Sequence, residues 1–310
     1  MTPIMIPISI EDIVNSLIAD DIKLLCYLKV SDYYSILRDE MTSLNTLTLY
    51  FIKSPYGLDW TSATSLSRSI LKNYLSMKPN FMGHVDIELK ATLPSGEKVQ
   101  FFTGMVASNL NAKTMLFKKK IGMGIVFHSF SGRMDGPEDI EKYFENKERI
   151  NFLCLKISAE TAQKIYQYYQ EYKQQKIYQY YGLSNRPLYK EGAGCSAFAV
   201  SFLQVAELMN SEVESAWSYL IKIPTKLIGP PLGKRKVNFF KLLFTYCPWA
   251  KSDEEYKEIF FWDPDKMFNW VERKLQYSSS EYQQRQLAGI SGIYKDVSSL
   301  RPSKMQIWKK

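Results

Sequence analysis

Histidine is almost missing from this chain: 310 residues carry two, His84 and His128. That is too few for a multi-histidine metal centre. Cysteine is scarce as well. The four, at 26, 154, 195 and 247, form no CxxC pair and no zinc-ligand spacing, so neither a structural zinc site nor a disulfide framework is expected. They read as free thiols. No calcium-loop spacing occurs, and Gly122-Met-Gly124 lacks the third glycine and the following helix of a dinucleotide fingerprint. No metal and no cofactor is therefore expected. No apolar run approaches the roughly 18 residues needed to span a bilayer. The N-terminal stretch from Met1 to Ser9 lacks a basic region and meets acids at Glu11 and Asp12, unlike a secretory leader, although a removed leader would look the same. The expectation is a soluble chain of open compartment.

What is present is a core. Hydrophobic residues make up 45%, charged residues 23% and aromatics 14%, a globular composition far from disorder. A net charge of +8 implies attraction to something anionic: a membrane surface, an acidic polymer or nucleic acid. The basic clusters are Lys118–Lys120, Lys234–Lys236 and the tail ending Trp308-Lys-Lys310. They are expected to be solvated and dispersed over the surface.

Periodicity then sketches the elements. Ile13, Leu17, Leu24 and Leu28 form one stripe of a helix over 10–37, and a second helix is expected over 62–77. Between them 46–52 alternates like a strand. Residues 83–91 and 98–106 flank the turn Leu93-Pro-Ser-Gly-Glu97 and read as a hairpin. Further strands are expected at 121–130 and 150–157. Ser158 caps a long helix running to Gly182. The hexapeptide Lys-Ile-Tyr-Gln-Tyr-Tyr occurs in it twice, at 164–169 and 176–181. In a helix from Cys195 to Met209, Phe198, Phe202, Val205 and Met209 make a core stripe, leaving Ser201, Gln204 and Glu207 as a thin polar edge. Residues 237–246 are ambiguous between strand and buried helix, 265–274 read as helix, and the last thirty are polar and serine-rich. No domain boundary is visible, so 1–310 is taken as one α+β domain. Its mostly antiparallel sheet packs on the central Cys195 helix, with N- and C-terminal helical elaborations over 1–79 and 211–310.

The chemically suggestive stretch is Gly192-Ala-Gly-Cys195-Ser-Ala-Phe-Ala. A cysteine there opens an apolar helix after small residues. Unpaired N–H groups and the dipole at a helix N-terminus favour an anion, hence a thiolate. His84 opens the strand Gly83-His-Val-Asp-Ile-Glu-Leu, so Cys195 and His84 form a minimal nucleophile and base. Against this stands the ordinary fate of a small-residue-flanked cysteine, which is burial in the core. Cys26 and Cys154 sit in apolar runs and read as core, and Cys247 has no helix start behind it. His128, between aromatics, reads as a packed core or edge histidine. Ser65, Ser67 and Arg68 near Trp60 could line a pocket or be merely solvated.

With histidine strand first and cysteine helix later, the chain resembles the permuted papain-like cysteine hydrolases, the NlpC-like group that also includes lecithin retinol acyltransferase-type enzymes. The resemblance rests on Gly83-His84-Val-Asp-Ile-Glu-Leu, the hairpin after it, and Gly194-Cys195-Ser-Ala-Phe-Ala, and it covers residues 80–210 as a catalytic core. It implies a papain-like, circularly permuted fold, with Cys195 as nucleophile, His84 as base and backbone N–H groups at the helix start as an oxyanion hole. A third, orienting polar residue belongs on the strand after the histidine. Gln100 and Glu88 are the candidates, with Thr103, Ser108 and Asp86 also near. The implied substrate is an amide in a peptide such as a bacterial cell-wall peptide. The runner-up is acyl transfer or hydrolysis on a lipid or thioester. Two non-catalytic readings remain: an inactive scaffold of this fold, and a single-stranded nucleic-acid binder stacking bases on tyrosines. No specific nucleic-acid partner is expected, since no such module is visible and the tyrosines fall at helical spacing.

Overall fold

In the computed structural model, residues 45–77, 82–109, 114–136, 147–277, 280–303 and 306–309 are described. By its packing the chain forms two compact units, 1–43 and 44–310, and the described residues belong to the second. The helix expected over 10–37, Cys26 and Lys310 lie outside them.

Strand β1 (Thr46–Ile52) is buried along its whole length, as expected of a strand with neighbours on both sides. It pairs antiparallel with β2 (His84–Thr92) on one edge and with β5 (Ile150–Lys156) on the other. β2 forms the expected hairpin with β3 (Lys98–Asn109). β4 (Phe130–Met134) and the two-residue β6 (Tyr180–Tyr181) extend the sheet beyond β3. On the far side β10 (Ile290–Asp296) runs parallel to β5 and antiparallel to β9 (Gln283–Leu287). The sheet thus has eight strands in the order β6-β4-β3-β2-β1-β5-β10-β9. It is mixed, with β5–β10 its parallel pair.

Period-two alternation puts Leu47, Leu49, Phe51, Val85, Ile87 and Leu89 into one core with α2 (Ala159–Gln174) and α3 (Cys195–Val205). Ser158 caps α2, its hydroxyl accepting from Thr161 N–H at 3.1 Å. Tyr168 and Tyr172 of α2 pack on Phe198 and Phe202 of α3, and all four are fully buried. Each such side chain contributes about 2–3 kcal/mol by leaving water. Helix α3 is buried nearly all round, which agrees with its unbroken apolar run. The expected polar edge is absent at Ser201, which is fully buried and bonded to the Tyr168 hydroxyl at 2.7 Å.

A smaller core joins α1 (Ala63–Leu75) to a two-stranded sheet of β7 (Ser218–Pro224) and β8 (Tyr256–Trp262) and to the short helix α5 (Phe239–Phe244). Helix α6 (Pro264–Gln276) follows β8, and α4 (Ser211–Trp217) precedes β7. The region after 210 is therefore mixed rather than helical. Its β9–β10 hairpin inside the polar tail escaped the periodicity because β9 is exposed and glutamine-rich. The turn between the strands relies on Ala288 and Gly289, both at positive φ.

Two other expectations are corrected. Residues 121–130 do not form a strand: Met123–Phe127 is a 3₁₀ turn, and pairing in β4 starts at Phe130. Gly122 takes φ +53°, and Ile121 and Gly122 bridge instead to Val237 and Ile228. The long helix ends at Gln174, eight residues before Gly182. Lys176 enters the left-handed region at φ +56°, so the first Lys-Ile-Tyr-Gln-Tyr-Tyr is helix while the second is a 3₁₀ turn running into β6.

Candidate active site

The backbone of α3 begins at Cys195 because Gly194 holds an extended N-cap conformation, at ψ 166°. Glycine brings no capping side chain, so the helix's first N–H groups are left for something other than the protein's own cap. Gly192, at φ +85°, lies against the Tyr180 backbone, and Ala193 N–H donates to the Tyr180 carbonyl at 3.1 Å. The glycine turn thereby docks the α3 start onto β6. Tyr181 follows on that strand, with its hydroxyl 4.0 Å from Cys195 Sγ. Ser196 Oγ stands 3.8 Å from the same sulfur.

His84 and Cys195, 111 positions apart in sequence, lie close enough for each to shift the other's pKa. The imidazole is buried, and its Nε2 lies 3.0 Å from Asp86 Oδ1 and 2.8 Å from Asp135 Oδ2. Nε2 is thus engaged by two carboxylates at once. The row comes from register. Asp86 on β2 lies opposite Gly104 on β3, and Asp135, just past the end of β4, donates its N–H to the Gly104 carbonyl at 3.0 Å. A Cβ at Gly104 would collide with Asp86 Oδ1 and come within 3.2 Å of Asp135 Oδ2. The missing side chain lets both carboxylates converge on one ring. Arg133 Nη1, 3.4 Å from Asp135 Oδ1, adds a cation on the outer side.

Gln100 and Glu88 are elsewhere. Gln100 pairs with Lys90 in the β2–β3 register, six residues from His84, or about 20 Å along a strand. Its amide donates to Glu88 at 3.4 Å, and Glu88 also meets Tyr50 and Lys90. In place of Gln100 and Glu88, Asp86 and Asp135 are the carboxylates at the imidazole. Asp86 shares His84's face by alternation and was legible. Asp135 had no local signal, being delivered by β4, although a glycine inside strand β3 marked where some side chain approached closely.

Burial pulls the His84 pKa down, but the charge of Asp86 and the bonds to Asp135, Asp86 and Cys195 outweigh it and hold the imidazolium well above the usual histidine range. Burial pushes the Cys195 thiol up. The bond and charge of His84, with Ser196 and Tyr181, overcome this and leave Cys195 below an ordinary thiol. The pair therefore favours thiolate and imidazolium. Cys154 is the contrast: with no such partner, burial pushes it up to about 11.

Alkylation by iodoacetamide, read by peptide mapping, should register this difference. Cys195 should react while Cys154 does not, and its rate should hold at neutral pH and fall only as pH drops through the lowered thiol pKa. His84→Ala removes the largest opposition to burial, so the midpoint should move up. At pH 7 the thiolate fraction then falls about tenfold for each pH unit by which the midpoint rises. An unchanged profile in His84→Ala would break the pairing.

The same cluster offers an N/O/O donor set. One ligand atom each from His84, Asp86 and Asp135 lies within 4.8 Å of the others, a spacing suited to one small cation as well as to a shared proton.

Cys195 opens into a cleft of about 230 Å³ lined by Trp60, Leu116, Met123, Val126, Phe239 and Trp262 among others. Ser67 lines it too, but its hydroxyl is spent on the Ala63 carbonyl. His128 is on the wall, edge-on to Phe130 at 4.8 Å, with its pKa lowered by burial and by Lys119. No side-chain hydrogen bond joins it to another described residue. Among the described residues the one carboxylate in the lining is Asp263, held by Trp60 Nε1 at 2.9 Å and Lys266 N–H at 2.7 Å. Burial and neighbouring Asp265 push it up to about 7, so even this group is partly neutral at physiological pH.

The tyrosines of 164–181 are mostly packed: Tyr168 and Tyr172 are buried and Tyr166, Tyr169, Tyr178 and Tyr181 half-buried, with Tyr180 exposed. Two of the three basic clusters do not stay dispersed. Lys118–Lys120 and Lys234–Lys236 are drawn together, since Val237 N–H donates to the Lys120 carbonyl at 2.7 Å. Among the described residues no helix is long and apolar enough to cross a membrane. Comparison of the chain with protein-family models, curated proteins and solved structures finds no match.

Proposed function

We propose that this chain is a cysteine-dependent acyl hydrolase or acyltransferase, with Cys195 as nucleophile and His84 as its base. The observation that carries the reading is the buried Cys195–His84 pair backed by Asp86 and Asp135. Such an arrangement of nucleophile, base and orienting carboxylate is what thiol acyl chemistry needs. The histidine strand preceding the cysteine helix is the order of the permuted papain-like enzymes, and we propose that fold relationship on the same grounds.

The thiolate sulfur attacks the substrate carbonyl carbon, and the C–O, C–S or C–N bond to the leaving group breaks. His84 passes its proton to the departing alcohol, thiol or amine, leaving a Cys195 thioester. Water, or an acceptor alcohol or amine, then attacks that thioester as His84 takes its proton. The carboxylic acid or transferred acyl product leaves, and the thiolate is restored. The uncapped N–H groups at the start of α3 and the Tyr181 hydroxyl are the donors available to the oxyanion.

Sequence reasoning favours a peptide amide, such as one in a cell wall. The cleft favours the runner-up. A cell-wall peptide is polar and charged, whereas the walls beside Cys195 are aliphatic and aromatic, which suits an apolar acyl chain on an ester or thioester. The test is a series of p-nitrophenyl esters of increasing acyl length. Each buried methylene is worth about 0.8 kcal/mol, or about fourfold in kcat/KM, until the cleft is filled. A flat series, with peptidoglycan fragments turned over faster than any ester, would return the assignment to the peptide amide.

A further inference from the structure

Residues 111–134 and 225–252 contain no acidic residue. The fold lays them side by side. Ile121 bridges to Val237 and Gly122 to Ile228, so the cations of 118–120 stand beside those of 234–236. All six are exposed, and none is in an ion pair with another described residue. Lys241 adds a seventh charge on α5. The same two segments carry exposed apolar side chains: Phe117, Leu232, Phe240 and Phe244, the last 76% exposed. Phe117 packs against Phe239 at 5.3 Å and Phe240 at 5.9 Å between ring centres, which welds the two segments into one surface. The base beneath is firm, since Arg68 of α1 donates to the Leu243 carbonyl at 2.7 Å and Thr64 to that of Thr245 at 2.7 Å.

Such a face is costly to leave in water. Unpaired cations repel one another, and four large apolar side chains stay hydrated. Its neighbours lead inward, because Leu116, Phe239 and Leu242, adjacent in sequence to Phe117, Phe240 and Lys241, line the Cys195 cleft. We infer that this face is a docking surface for a bilayer carrying anionic lipid headgroups, with the lysines and arginine on the headgroups and the phenylalanines in the acyl boundary. A bilayer supplies negative charge and hydrocarbon in adjacent layers, matching a surface that carries both. A nucleic acid would use the cations and leave the path to the cleft unexplained. The rings here are also packed on one another rather than fanned apart for bases. The inference rests on the acyl-substrate reading for the route from bilayer to Cys195, while docking itself is measured without turnover.

The experiment is co-sedimentation of the full chain with phosphatidylcholine vesicles, with or without phosphatidylserine. Binding should require phosphatidylserine and weaken with salt. A cation beside an anionic bilayer is worth about fivefold in partitioning, so Lys234→Ala/Arg235→Ala/Lys236→Ala should weaken binding on the order of 100-fold. Phe240→Ser/Phe244→Ser should also release the protein. All these side chains are exposed, so thermal unfolding should match the parent. Cys195→Ala should bind vesicles like the parent, and vesicle binding by a chain that hydrolyses no ester would uphold this surface while removing the acyl-substrate reading. Loss of phosphatidylserine dependence, or full binding by both surface variants, overturns the proposal. Displacement of the protein from vesicles by a single-stranded oligonucleotide held on the same lysines would assign the face to nucleic acid instead.

Discussion

Cys195→Ala should lower turnover of the best p-nitrophenyl ester by about 10⁴- to 10⁶-fold, the scale on which losing a nucleophile from a concerted triad is felt. Cys195→Ser should be nearly as inactive. A serine hydroxyl takes the same place beside His84 but does not ionise under the influences that lower the thiol pKa. The residue is buried and small, so thermal unfolding of both variants should stay close to that of the parent. Single-turnover kinetics give the clearest reading, because the parent should release p-nitrophenol in a burst of one equivalent as the thioester forms, and the variants should show none. Turnover within tenfold of the parent would remove Cys195 from the chemistry.

The second large effect concerns the two positioning carboxylates. In Asp135→Asn the imidazole keeps Asp86, and in Asp86→Asn it keeps Asp135, so each single change should cost about 10²-fold. With both carboxylates replaced, the imidazolium loses both of its carboxylate partners, and the loss should reach about 10⁴-fold. The pH profile separates this from mere loosening of the fold. The carboxylates raise the His84 pKa, so removing one lowers it and the high-pH limb of activity should move to lower pH. A profile unchanged in position would overturn the positioning role. Gly104→Ala is the steric counterpart. Its methyl group drives Asp86 off the ring, and a displacement of about 1 Å is worth about 10²-fold. Exhaustive treatment with a chelator decides between the two uses of the cluster. Unaltered parental activity supports the shared proton, while loss restored by added cation would assign His84, Asp86 and Asp135 to a metal.

Cys195 and His84 were legible in the sequence because the cues for them are local. A glycine turn before an apolar run predicts a helix start, and alternation about a turn predicts a hairpin. The same local cues identified α1, β1, β2, β3, β5 and the start of α2. They failed where one local pattern serves two environments. The two copies of Lys-Ile-Tyr-Gln-Tyr-Tyr are identical, yet the first is helix on the core and the second pairs through Tyr181 with Phe130. That choice was made by neighbours and by the left-handed turn at Lys176. β9 went unseen because it is a polar edge strand held by β10.

For the candidate site, composition and order along the chain singled out the proposed nucleophile and base and the scarcity of alternatives, since only two histidines exist to choose between. Tertiary structure decided the rest. Asp135 lies 51 positions from His84 and reaches it through the register of β2, β3 and β4, with Gly104 leaving the space. The apolar cleft draws its walls from several separate stretches of chain. The basic clusters, innocuous apart, became one face through the Ile121–Val237 bridge. Hydrophobic periodicity records which side of an element is buried but not against what. Register, strand order and the meeting of distant charges depend on contacts that no window of neighbouring residues contains.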